Sequence, residues 1–251
     1  MGKKSRRAAT PISEKQKFHS STMRPLYKDQ AWDPLETENR EKRYLRKVRP
    51  QSDNQRELME AIDKYNLCVA IGPAGTGKTY TSVALAVKYL KEKKVKRIIL
   101  IRPAIEVGEN LGFLPGDLKE KLDPYMQPIY DALFDMIPFG KLNEYIDDGT
   151  IQISPLAFMR GRTLDNAFVI LDEGQNTTNH QMKMFLTRMG QSAKFMITGD
   201  LTQIDLQDNK KSGLLNAKKI LKDIKKISFI NLDEKDIIRH KLVKQIINAY
   251  K

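Results

Sequence analysis

Leu67-Cys68-Val69-Ala70-Ile71-Gly72-Pro73-Ala74-Gly75-Thr76-Gly77-Lys78-Thr79-Tyr80 decides the fold of this chain. Residues 72–79 match the pattern G-x-x-x-x-G-K-[ST] at every fixed position. The apolar run Leu67–Ile71 before it reads as a buried strand, and Tyr80 to Leu90 carry apolar residues at helical spacing. Strand, glycine loop and helix in that order form a phosphate-binding loop. The glycines let backbone N–H groups curl around phosphate oxygens, and the helix N-terminus adds a favourable dipole. Gly72, Pro73, Ala74, Gly75, Thr76 and Gly77 are therefore the candidate cradle. Lys78 is expected to reach the outer phosphates, and the Thr79 hydroxyl to bind Mg²⁺.

Strands and helices alternate on either side of this stretch. Arg97–Ile101, Thr150–Ser154, Ala167–Leu171, Ala193–Thr198 and Ile227–Asn231 read as further strands. Asn179–Met189, Ser212–Ile224 and Asp236–Ala249 read as helices, and Gly112–Asp135 as partly helical and broken by prolines. Asp53 reads as the N-cap of a helix bearing Leu58, Met59, Ile62 and Tyr65 on one stripe. Continuous apolar strands alternating with helices imply an α/β fold, a mainly parallel sheet covered on both faces. Ligands bind such sheets at the C-terminal strand ends.

The chain has 251 residues, 40% of them hydrophobic, and no apolar run near the roughly 20 residues that span a bilayer. No apolar segment follows the charged N-terminus, so no secretory signal is read there. A single cysteine, Cys68, excludes an internal disulfide and fits a reducing, cytoplasmic compartment. His19, His180 and His240 lie far apart and away from it, which argues against a His/Cys metal site. The net charge is +13, and residues 1–50 hold 14 Lys or Arg against 6 Asp or Glu. These residues, interrupted by Pro11, Pro25, Pro34 and Pro50, read as a basic flexible arm in which Glu36–Arg49 could form a short charged helix. Residues 51–251 read as the folded domain. A basic arm on a mildly basic domain points to a polyanionic partner, most simply RNA or single-stranded DNA.

Asp172-Glu173-Gly174-Gln175 follows the strand that ends at Leu171. An acidic residue there is where a phosphate-loop enzyme places its second Mg²⁺ contact, so Asp172 takes that role. Glu173 is positioned to polarise an attacking water. Gln203, just past the strand that ends at Thr198, is the candidate sensor of the terminal phosphate. Arg102, Arg160, Arg162, Arg188 and Arg239 are all candidates to complete the phosphate site, and spacing selects none of them. Gln55 carries an amide able to pair with both edges of adenine. No Asn-Lys-x-Asp motif is present, so ATP is expected rather than GTP.

Several of these segments together resemble the PhoH family. They are residues 71–79, Arg102-Pro103-Ala104, Leu111-Gly112-Phe113-Leu114-Pro115-Gly116-Asp117, Met159-Arg160-Gly161-Arg162-Thr163, residues 181–188, Thr198-Gly199-Asp200 and Arg239-His240. The likeness runs from about Gln51 to Tyr250 and leaves out the arm. It implies a RecA-like core similar to the first motor domain of superfamily 1 helicases, with ATP and Mg²⁺ as cofactors. In that scheme Gln55 reads adenine, Gln203 belongs to the third motif and Arg239 resembles the arginine of the sixth. The family usually has alanine where this chain has Gly174, a change expected to loosen the turn. A single motor domain lacks the arginine a second one supplies. A homo-oligomeric ring, a hexamer as in this family, would provide it from a neighbour, through Arg239 or Arg188. Arg102, Arg160 and Arg162 are the nucleic-acid contact candidates, with a role at a subunit interface as the alternative for Arg160 and Arg162.

Two rivals stand beside an ATPase coupled to nucleic acid. One is a nucleotide-gated switch for RNA or a protein with little turnover. The other is a small-molecule kinase, which the pairing of Asp172-Glu173 with Gln203 argues against, because it suits water as the acceptor.

Overall fold

The strand sequences set their own packing. In Leu67–Ile71 (β1), Cys68 and Ala70 face one core while Leu67, Val69 and Ile71 face the other. The same alternation runs through Arg97–Arg102 (β2), Ala167–Leu171 (β4) and Lys194–Gly199 (β5). Side chains that alternate between two apolar faces require helices on both sides. The computed structural model of the chain, which describes residues 48–103, 118–206, 212–238 and 242, has that arrangement. With Ile151–Pro155 (β3) and Ile227–Asn231 (β6), the strands form one six-stranded sheet in the order β3-β2-β4-β5-β1-β6. Every strand pairing in this sheet is parallel. The fold is the expected α/β, RecA-like arrangement.

Asp53–Lys64 (α1), Lys78–Lys91 (α2), Leu118–Phe134 (α3) and Phe139–Asp147 (α4) cover one face. Leu58, Ile62, Val83, Val87, Ile129, Leu133 and Leu142 pack there against Ile98, Leu100 and Phe168. Asn179–Leu186 (α5), Gly213–Leu221 (α6) and a 3₁₀ turn at Leu156–Met159 cover the other, through Met182, Phe185, Leu214, Leu156 and Met159. Burial pushes the Cys68 thiol pKa up to about 12, so it stays protonated and acts as a packing residue.

Local details depart from the sequence reading in three places. The N-cap of α1 is Ser52, whose hydroxyl accepts from the Gln55 N–H, and Asp53 is the first helical residue. Both types cap well, and adjacent cap formers are not separable by pattern. The helix α4, unforeseen, starts with no side-chain cap. Asp236 closes a 3₁₀ turn, Glu234–Asp236; of the helix read over Asp236–Ala249, Leu242 is helical, and residues 239–241 and 243–249 lie outside the described residues. The readings of the arm through residue 47, of residues 111–117 and of Arg239-His240 lie outside the described residues.

The turn at Asp236 ties the last strand to α1. Its buried carboxylate accepts from Asn54 Nδ2 at 2.8 Å and from the Asp233 N–H at 2.6 Å. Burial works against the charge. The hydrogen bonds from Asn54, Ser52 and the Asp233 backbone, with Lys235 nearby, outweigh it and hold the Asp236 pKa below its ordinary 3.8. A depressed carboxyl pKa contributes stability that is present above the unfolded-state value and lost as pH falls through the folded one. Thermal melting from pH 7 downward is therefore expected to show a loss below about pH 4 that is smaller in Asp236→Asn, because that variant cannot titrate.

Candidate nucleotide-binding site

The register brings the chemical motifs to one end of the sheet. Ile71 of β1 pairs with Gly199 of β5, Leu171 of β4 with Ile197, and Ile101 of β2 with Leu171. The chain therefore leaves β1 into Gly72–Thr79, β4 into Asp172-Glu173, and β5 into Asp200 at one level. Gly77, at φ +76°, adopts a left-handed conformation that favours glycine, and α2 begins there with no side-chain cap. Its first N–H groups thus point out of an uncapped helix end, where an anion is stabilised.

The loop is braced from within. Thr76, fully buried, donates to the Pro73 carbonyl at 2.9 Å. Lys78 Nζ donates to the Gly72 and Pro73 carbonyls at 2.7 and 2.9 Å, which curls the ammonium over the loop. Ile238 N–H donates to the Gly75 carbonyl at 2.9 Å. Gln55 is buried beneath the loop: Nε2 donates to the Thr76 carbonyl at 2.9 Å and Oε1 accepts from the Gln51 N–H at 2.8 Å. The structure thus places the adenine candidate as a brace of the phosphate loop.

Asp172 is almost fully buried. Its Oδ1 accepts from Thr79 Oγ1 at 2.6 Å and from Thr198 Oγ1 at 2.5 Å. Its Oδ2 lies 3.2 Å from Arg102 Nε, yet neither atom has a hydrogen bond among the described residues. A buried carboxylate held against the loop hydroxyl through Oδ1, its Oδ2 facing only the Arg102 guanidinium, fits a hard cation that keeps several waters and takes few protein ligands. Thr79 and Asp172 are the residues that fit Mg²⁺.

Glu173 sits in the left-handed region at φ 55°, uncommon for a residue with a side chain and typical of functional turns. Its Oε1 faces Arg102 Nη2 at 3.3 Å, and its Oε2 accepts from Gln175 Nε2 at 2.6 Å. Arg102 also donates to the Tyr125 carbonyl of α3. This nucleic-acid candidate therefore lies between the two carboxylates of the candidate site.

Sequence reading gave Gln175 no role. It is fully buried, with Nε2 also donating to the Gln203 carbonyl at 3.0 Å and Oε1 accepting from the Asp200 N–H at 3.0 Å. One amide thus joins Glu173 to the segment after β5. Gln203 participates through its backbone, and its side chain is exposed. No periodicity marks a buried glutamine; its only sequence signal is its place two residues after Glu173.

Gly174 occupies a closed position rather than a loose one. A Cβ there would lie 2.8 Å from Ile197 Cγ2 and 3.3 Å from the Thr198 carbonyl. Gly174→Ala is expected to cost about 1–3 kcal/mol through overpacking, read by chemical denaturation as a lower midpoint at unchanged slope.

The remaining candidates sit elsewhere. Arg160 is exposed, Arg162 Nη2 donates to Gln152 Oε1 at 2.9 Å, and Arg188 donates to the Met184 and Arg162 carbonyls at 3.2 Å. Arg239 lies outside the described residues.

The profile of the family described as "PhoH-like protein" matches residues 47–251. A PhoH-like protein of Bacillus subtilis is 57% identical over 203 residues, which are 81% of this chain and 64% of that one. Protein PhoH of Escherichia coli K12 is 39% identical over 213 residues, 84% and 60% of the two chains. The chain thus spans less than two thirds of the length of these relatives. Among solved structures, the large terminase of a thermophilic bacteriophage superposes with a TM-score of 0.50 at 12% identity, over 81% of this chain and 51% of that one. That likeness concerns the fold. Among the described residues, no helix is long and apolar enough to cross a membrane.

Proposed function

Because the chain belongs to the PhoH-like protein family, we propose that it is a Mg²⁺-dependent ATPase whose hydrolysis is coupled to RNA or single-stranded DNA. The observation that carries the reading is the junction of Thr79, Thr198 and Asp172 beside Glu173, at the level of the uncapped α2 N-terminus. Backbone N–H groups of residues 72–79 bind the phosphate oxygens, and Lys78 exchanges its carbonyl partners for the outer phosphates. Glu173 takes a proton from water as the water oxygen bonds to the terminal phosphorus and the bond from that phosphorus to its bridging oxygen breaks, leaving ADP and inorganic phosphate. Thr79 and Asp172 would hold Mg²⁺, which when bound would supply neutralisation of the charge on the phosphate oxygens. Gln175 couples Glu173 to Gln203, so the third motif responds to the state of the base. The active form is a cytoplasmic homo-oligomer, a ring, in which Arg239 completes the neighbouring site. The basic arm of residues 1–50 leads into the domain, on whose core Val48 already packs.

One observation favours the switch reading of slow basal turnover: both Glu173 oxygens are engaged, one by a guanidinium. A carboxylate held at both oxygens has to release a partner before it can take a proton from water. The test is phosphate release with Mg²⁺ in the presence and absence of single-stranded RNA and DNA. Stimulation by one of them supports the motor. Nucleotide binding with negligible release under both conditions supports the switch.

A further inference from the structure

The crossover from β3 to β4 and the helix beside it share an unusual charge distribution. Residues 156–164 and 177–193 contain Arg160, Arg162, Lys183 and Arg188 and no Asp or Glu; Asp165, at the end of the crossover, is the single acidic residue beside them, and its Oδ1 accepts from the Ser192 N–H at 2.7 Å. The 3₁₀ turn at Leu156–Met159 packs against α5, so the two segments form one surface. Arg188 Nη1 donates to the Arg162 carbonyl at 3.2 Å, which fixes the two strips side by side. Arg162 is further held by Gln152 Oε1 at the sheet edge. Among the described residues no carboxylate lies within ion-pair distance of Arg160, Arg162, Lys183 or Arg188. Two residues before Arg160 stands Phe158, which is 53% exposed while Leu156 and Met159 on either side are buried.

An exposed aromatic costs the free protein hydration, and unpaired like charges repel, so both favour a partner that is anionic and presents flat apolar faces. An acidic protein would satisfy the arginines and leave the ring without purpose. A single-stranded nucleic acid satisfies both, because phosphates meet the cations and a base stacks on the ring. We propose that this surface is the track for single-stranded nucleic acid, with Phe158 as its stacking platform and Arg160, Arg162, Lys183 and Arg188 as its phosphate contacts. The proposal rests on the nucleic-acid coupling inferred above and names where on the domain that strand binds.

The two kinds of contact have separable signatures when the 251-residue chain is titrated with labelled oligo(U) and oligo(dT) across a salt series. Phe158→Ala is expected to weaken binding roughly 5- to 100-fold at every salt concentration, leaving the salt slope unchanged. Arg160→Ala with Arg162→Ala is expected to flatten the logarithmic salt slope by about 1.4, roughly 0.7 per lost contact on a single strand. In Trp32→Phe with Phe158→Trp the remaining tryptophan reports the stack directly, by quenching when oligonucleotide is added. Thermal melting of each variant shows that it is folded. Preference between the two oligomers identifies RNA or DNA. If the folded Phe158→Ala and the arginine variants bind as the parent does and the introduced indole is not quenched, this surface is not the track, while the coupling stands. If the parent binds neither oligomer, the coupling itself is wrong and this proposal fails with it.

Discussion

Glu173→Gln should lower steady-state ATP hydrolysis roughly 10²- to 10⁴-fold while leaving nucleotide bound. The substitution keeps the size of the side chain and one oxygen within reach of the Gln175 amide, so the turn at residues 172–176 can persist. It removes the proton acceptor, which is the contribution proposed for this residue. The phosphate loop is untouched, because Thr76, Lys78 and Gln55 brace it through backbone carbonyls rather than through Glu173. Binding of a fluorescent ATP analogue should therefore change little while phosphate release collapses. Equal loss of both would place Glu173 in nucleotide binding instead of water activation.

The second large effect is structural. Arg102→Ala should lower stability by about 3–5 kcal/mol. The guanidinium faces Asp172 Oδ2 at 3.2 Å and Glu173 Oε1 at 3.3 Å, with its side chain only 16% exposed. Removing it leaves two adjacent carboxylates, one nearly fully buried, without their cation. Breaking a buried pair costs more than the pair contributes, because the orphaned charge stays desolvated. For a domain of this size the loss corresponds to roughly 10 °C in melting temperature. Lysine at position 102 should rescue only in part, since a single ammonium cannot address both carboxylates and the Tyr125 carbonyl as a planar fork does. The same geometry makes Mg²⁺ a partial substitute. The melting temperature of Arg102→Ala should rise on adding Mg²⁺ by more than that of the parent, and a shift no larger than the parent's would argue against Asp172 as the cation's anchor.

The fold was legible because its signals are short-range and repeated. Apolar runs such as Leu67–Ile71 and Ala167–Leu171 can be buried on both faces only in a covered parallel sheet, and the loop at residues 72–79 fixes which strand comes first. Strand order was not legible, since it depends on which crossovers pass over which strands. The position of Asp172 and Glu173 after an apolar strand could be read from order alone. What joins them to the rest of the site could not. Arg102 meets both carboxylates because β2 lies beside β4, and Gln175 reaches Asp200 because β5 is β4's other neighbour. Those are facts of register. Gly174 shows the same limit, for a missing methyl reads as looseness until Ile197 is found against it.

The most direct test of the proposed activity is phosphate release from ATP by the 251-residue chain with Mg²⁺, repeated with EDTA and with Lys78→Ala. Turnover should be abolished by EDTA and lowered roughly a hundredfold or more by Lys78→Ala, which removes the cation from the outer phosphates. Turnover that persists in Lys78→Ala, or none in the parent with Mg²⁺ and either single-stranded RNA or DNA, would contradict it.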